Sequence, residues 1–196
     1  RSSIQYSRSF AHAIKDRAVL EDMISAFAGQ LGRRLRSHNL RAGSLLLWLS
    51  APLINNYKHK GKSSTYRLKM TLALPTYTDD SSTLIQCALH LMSLLIKKAK
   101  YETSKSFSWR KAGLIAVDLR DDSQLELALI QPNPKRRKLS QLEDELNRRF
   151  GRGTARLGGI PIKVSKIENA PSWSTKQAFL SPKYTTSWAD LPIVYA

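Results

Sequence analysis

Two pairs of neighbouring carboxylates, Asp79–Asp80 and Asp121–Asp122, are the most chemically suggestive residues of this chain. Two-metal phosphoryl transfer needs carboxylates spaced to bridge two cations. Neighbours on one strand or turn point to opposite sides, so neither pair can bridge. The first pair stands before an apolar, helix-like stretch and reads as a helix cap, and the second reads as part of a solvated linker. His12, His38, His59 and His90 show neither HxxxH nor HExxH spacing, and Cys87 is the only thiol. The glycines of "GRGTARLGG" lack the GxxxxGK[ST] pattern and follow no strand that would aim a helix N-terminus at phosphate, so they read as turns. The residues support binding, with no catalytic constellation and no metal site among them.

What they bind is indicated by charge. Thirty-two Lys and Arg oppose fifteen Asp and Glu, a formal net charge of +17 over 196 residues. An excess of this size points to a polyanion. Nucleic acid is preferred over a lipid surface, because no basic amphipathic helix carries an aromatic face and no apolar run reaches spanning length. The 42% hydrophobic content and four tryptophans are globular values. One cysteine excludes a disulfide or thiol-based zinc framework, and with no signal peptide the expected setting is a reducing cytoplasm.

The elements that must present this charge follow from periodicity. "SIQYSRSF" (residues 3–10) alternates as a strand. Val19, Leu20, Met23, Ile24, Phe27, Leu31 and Leu35 recur at helical steps over about 17–38, and Arg33, Arg34 and Arg36 at that helix's end suit either its dipole or a phosphate. "GSLLLWLSA" (43–51) and "STYRLKMTLAL" (64–74) read as an antiparallel pair joined by the basic loop "NNYKHKGKS". Tyr66, Leu68, Met70, Leu72 and Leu74 fall on one face of the second strand, and Arg67, Lys69 and Thr71 on the other. A capped helix, "TLIQCALHLMSLLIKKAK", and a closing strand, "SWRKAGLIAVDL" (108–119), complete the order βαββαβ. The predicted fold class is therefore α+β, a ferredoxin-like arrangement with two helices on one face of an antiparallel sheet and the other face open.

Periodicity is lost over 121–138, where Pro132, Pro134 and the run Lys135, Arg136, Arg137, Lys138 mark a linker. Within it Gln124, Leu125, Leu127 and Leu129 alternate as an extended peptide or as a continuation of the strand. "LSQLEDELNRRFG" (139–151) predicts a short helix ended by Gly151. The rest, to residue 196, predicts a small irregular module packed on tryptophans and tyrosines.

"SRSF" (Ser7 to Phe10), and near the end "RGT" and "FLSPKYTTSWADLP", resemble the C-terminal part of UmuC-type Y-family translesion DNA polymerases, in order along nearly the whole chain. Ala11 departs from that pattern, which usually has glycine there. The resemblance implies that 1–120 is the little finger DNA-binding domain and 139–196 a family-specific module. It also implies that the palm, with its carboxylates and Mg²⁺, precedes Arg1, so this piece is expected to bind damaged primer–template DNA without polymerising it. For that grip the candidates read from charge and size are Ser7, Arg8, Ser9, Arg67, Lys69 and Arg110, with Lys58, Lys60 and Lys62 reaching from the loop. Such a grip must tolerate altered bases and so uses phosphates in place of base edges.

In these polymerases a peptide after the last little-finger strand docks the replication sliding clamp. Gln124, Leu125, Leu127 and Leu129 match its six-residue form, QLxLxL, at the expected place. A UmuD-type dimer and a RecA filament are further partners that the resemblance implies. Two other readings fit the same element order. An RNA-binding module of the RRM type lacks its aromatic motif here, since the strand "STYRLKMTLAL" offers only Tyr66. A basic protein-interaction module would use the same face for an acidic partner.

Overall fold

The computed structural model describes residues 2–52, 65–103, 107–121, 133–151, 154, 155 and 157. The elements are β1 (Ser3–Ile14), α1 (Arg17–Ser37), β2 (Leu40–Pro52), β3 (Thr65–Thr78), α2 (Ser81–Thr103), β4 (Trp109–Asp121) and α3 (Pro134–Phe150). The strands form one antiparallel sheet in the order β1-β4-β2-β3. β4 separates β1 from β2, and β2 separates β3 from β4. The fold is α+β, two interlocked split βαβ units, with the predicted βαββαβ order.

Each strand alternates for a reason visible in its sequence. In β3, Leu68 and Leu74 are buried, with Tyr66, Met70 and Leu72 half-buried beside them, while Arg67, Lys69, Thr71 and Ala73 are exposed. Leu45, Leu47 and Leu49 of β2 and Ala112, Leu114 and Ala116 of β4 lie on the same inner side, fully buried. Against them pack Leu20, Met23, Ile24, Phe27, Leu31 and Leu35 of α1 and Leu84, Leu91, Met92 and Leu95 of α2. Each such side chain contributes about 1.5–3 kcal/mol through burial. Both helices therefore occupy one face, and among the described residues the opposite face carries no helix.

Polar bonds fix the ends of these elements. Asp16 caps α1 by accepting from the Ala18 N–H at 2.9 Å. The cap of α2 is Asp80, whose carboxylate accepts from the Thr83 N–H at 2.8 Å and the Thr83 hydroxyl at 2.7 Å. The first acidic pair thus acts as expected. Ser140 of α3 donates to Asp80 at 3.0 Å, and Arg137 of α3 pairs with Asp79 at 3.1 Å. Arg36, whose side chain is only 7% exposed, forms a two-pronged pair with Asp144 of α3 at 2.6 and 3.0 Å, and also donates to the Asp79 carbonyl and the Ser81 hydroxyl. It stands in the last turn of α1 as expected, but its guanidinium is committed to anchoring α3 and not to phosphate.

The helix α3 starts earlier than predicted. Asn133 caps it, accepting from the Lys135 N–H at 3.0 Å, and Pro134 takes the first turn, where its missing N–H costs nothing. The basic run 135–138 is consequently helical and not an extended linker. Gly151 ends α3 with φ at +99°, as predicted.

Burial pushes the Asp80 carboxyl up, but bonds from the Thr83 side chain and backbone, Ser140 and Ser82 outweigh it and leave its pKa below 3.8. A lowered carboxylate stabilises the fold above its unfolded value and loses that contribution as pH falls through the folded value. Asp80→Ala is expected to cost about 1–3 kcal/mol in urea denaturation, from the lost cap and the orphaned Ser140 hydroxyl. Asp80→Asn, which keeps an acceptor, should chiefly flatten the loss of stability below pH 4. An unchanged acid limb in Asp80→Asn would contradict this assignment.

Candidate nucleic-acid interface

The register turns the open face into a grid, because directly paired residues point to the same side. Reading across β1, β4, β2 and β3, one row is Ser9, Lys111, Ser50 and Arg67, and the next is Ser7, Gly113, Trp48 and Lys69. A third row is Gln5, Ile115, Leu46 and Thr71, and a fourth is Ser3, Val117, Ser44 and Ala73. These four rows contain three cations and no carboxylate. Among the described residues no acidic side chain pairs with Arg67, Lys69 or Lys111. Their charge is therefore directed outward, on a face where Ser7 and Ser9 of β1 are exposed and Ser50 is buried.

The residues proposed from sequence divide between the two faces. Ser7, Ser9, Arg67 and Lys69 come together on the open side. Arg8 does not, since it pairs with buried Ala112 and faces α1. There it shares an open cleft of about 660 Å³ with Arg33 and Arg34. The Tyr6 ring lies 5.8 Å from the Arg8 guanidinium and 5.0 Å from that of Arg34, and Arg34 also donates to the Gln5 carbonyl at 2.8 Å. Arg110 is likewise committed to structure. It donates to the carbonyls of Ala11 and Phe10, where the β1–β4 register shifts between Ser9 and Ile14. Ala11 sits within that irregularity without a positive φ, so the strand needs no glycine there. Lys58, Lys60, Lys62 and the peptide Gln124, Leu125, Leu127, Leu129 lie outside the described residues.

Sequence reasoning missed Lys111, Trp48 and Gly113. Both faces of β4 are largely apolar, so alternation did not show which of Arg110 and Lys111 points outward. Pairing decides it. Trp48 alternates with the buried leucines of β2, a signal present in "GSLLLWLSA" but carrying no charge. Its indole lies over Gly113, where a Cβ would come within 2.4–2.7 Å of Nε1, Cε2 and Cζ2. The Arg67 guanidinium carbon is 5.7 Å from its ring centroid, within cation–π reach.

At the other end of the sheet the Tyr77 hydroxyl donates to Asp118 at 2.5 Å, and Arg120 lies 4.2 Å from the Tyr77 ring centroid. Asp118 has φ at +53°, and a Cβ at Gly43 would collide with both Asp118 and Tyr77. The bond to Asp118 holds the Tyr77 phenol above its ordinary pKa. This cluster closes the sheet end and carries no free charge toward the grid. Among the described residues no group of three or more His, Cys, Asp or Glu side chains could hold a metal ion, and no helix is long and apolar enough to cross a membrane.

Residues 1–129 match the impB/mucB/samB family C-terminal domain, and residues 137–194 match a domain of unknown function, DUF4113. Over 195 residues the chain is 25% identical to the protein UmuC of Salmonella typhimurium strain LT2, covering 97% of this chain and 42% of that protein. It is 24% identical to ImpB of Salmonella typhimurium over 98% of this chain and 42% of ImpB, and 25% identical to MucB of Escherichia coli over 98% and 41%. The chain thus spans about two-fifths of the length of these curated relatives. Among solved structures, the complex of beta-clamp processivity factor and little finger domain of PolIV contains a chain that aligns with a TM-score of 0.40 at 17% identity, covering 67% of this chain and 99% of that one.

Proposed function

Because the chain belongs to the impB/mucB/samB family, we propose that its open sheet face grips the backbone of damaged primer–template DNA for an error-prone translesion polymerase acting in SOS mutagenesis. The observation that carries this reading is the grid itself: Arg67, Lys69 and Lys111 share one face with Ser7 and Ser9, and no carboxylate stands among them. Phosphate contact from such a surface is insensitive to base identity, as a polymerase reading past damaged bases requires. Polymerisation itself is assigned to the remainder of the parent protein, with its palm carboxylates and Mg²⁺. The RRM reading loses the aromatic of the strand expected to carry its motif, since Tyr66 faces inward and stacks on Phe107 at 4.4 Å.

The clamp reading is retained on the match of Gln124, Leu125, Leu127 and Leu129 to a docking peptide. An extended segment of this kind places alternate apolar side chains in pockets of its partner. Tethered beside a DNA-binding face, even a weak peptide gains effective concentration at a primer terminus. A UmuD-type dimer and a RecA filament are proposed partners of the parent protein.

In fluorescence anisotropy the chain should bind duplex DNA of unrelated sequences about equally. Affinity should fall on the order of 10³-fold between about 50 and 200 mM salt if six phosphates are engaged. Removing two cations in Arg67→Ala/Lys69→Ala should weaken all sequences alike and reduce the slope of log K against log salt by about two. A flat salt dependence would refute the phosphate grip. For the peptide, replacing Gln124, Leu125 and Leu127 by alanine should abolish capture by the sliding clamp, and undiminished capture would remove that assignment.

A further inference from the structure

The cationic rows account for phosphate, but not for the apolar centre of the same face. Trp48, Leu46, Ile115 and Val117 are half-buried there, with no helix above them among the described residues. Phosphate gains nothing from such a surface. We propose that Trp48, laid over Gly113, is a stacking platform for an unpaired nucleobase of the bound DNA, whose flanking phosphates are held by Arg67, Lys69 and Lys111. This rests on the reading that the open face meets DNA.

Three features of the site converge on a nucleotide. First, Trp48 and Gly113 are direct cross-strand partners, and the space a Cβ would fill is occupied by the indole. With no side chain beneath it the ring can lie along the sheet, where a base would stack beside or in place of the Arg67 guanidinium now 5.7 Å from its centroid. Second, cations stand beside it. Lys69 is its direct partner on β3, while Arg67 and Lys111 stand one row away, about 7 Å along the strands. A flat apolar ring flanked on one side by cations matches a base with its own phosphates, the pairing that single-strand binding sites use. Third, the four rows hold no carboxylate, so an anionic ligand meets no repulsion. An acidic protein segment would satisfy the lysines but make no use of the half-buried indole beside them.

The test compares three ligands by anisotropy: a single-stranded oligonucleotide, the same length carrying abasic sites, and duplex DNA. The 196-residue chain should bind the base-bearing strand about ten-fold or more tighter than the abasic one. Trp48→Ala should lose that difference, and Trp48→Phe, which keeps a smaller aromatic face, should retain part of it. Gly113→Ala should also lose it, because the new methyl displaces a ring that is still present. Together these variants separate stacking from damage to the fold. Equal binding of base-bearing and abasic strands by the unaltered chain overturns the platform while leaving the phosphate grip standing, provided duplex binding stays salt-dependent. Salt-independent duplex binding overturns both. An equal loss for both strands in Trp48→Ala also overturns the platform, since it assigns Trp48 to the sheet alone.

Discussion

Everything functional in this molecule depends on the pairing register of one antiparallel sheet. A slip of a single residue would send each strand's inner set outward, exposing Leu45, Leu47 and Leu49 and burying Lys69 and Arg67. Burial of the leucines against two helices makes such a slip very costly, and local devices reinforce the register. Gly113 admits the Trp48 indole at one position only. Arg110 ties β4 to the β1 carbonyls where their pairing shifts, and the Tyr77–Asp118 bond closes the opposite end. The same hydrophobic energy that folds the inner face therefore aims the cations on the outer one. No cation on the grid needs an acidic partner to hold it in place.

A second constraint joins α3 to this unit by charge and not by apolar packing. Arg36, Asp79, Asp80, Arg137, Ser140 and Asp144 form an interlocked set in which Asp80, the cap of α2, also accepts from α3. Buried ion pairs are costly to desolvate, and their strength lies in fixing one geometry. Ser140 is buried, whereas Leu139 and Leu142 are each 54% exposed and Phe150 69%. The face of α3 turned to the sheet domain is thus its polar one. The match to DUF4113 begins at residue 137, inside this helix. Glu143 lies in the same region, and burial raises its carboxyl pKa.

How much of this could be read from the residues depended on whether a strand had two different faces. β3 alternates leucines with Arg67 and Lys69, and its inside and outside were plain. β4 has apolar residues on both sides, so Arg110 looked as good a contact as Lys111, and only pairing with Ser9 and Ser50 separates them. Arg8 was legible as a cation but not as one facing α1, because its side is set by the register of β1 rather than by its own neighbours. The basic run at 135–138 looked like linker because Pro134 precedes it, yet a proline in the first turn starts a helix as readily as it ends one. Arg36 carried no local signal of its partner, since Asp144 is 108 residues away. The motif resemblance, in contrast, was legible throughout, because it depends on residue order and not on contacts.

The central claim is that DNA meets the open face and not the helices. Lysine acetylation footprinting, read by mass spectrometry with and without primer–template DNA, tests it on the intact chain. Lys69 and Lys111 point outward from the grid, while Lys97 and Lys100 are exposed on α2 behind it. The account predicts that DNA protects Lys69 and Lys111 and leaves Lys97 and Lys100 reactive. Protection of the α2 lysines with Lys69 and Lys111 unchanged would contradict it.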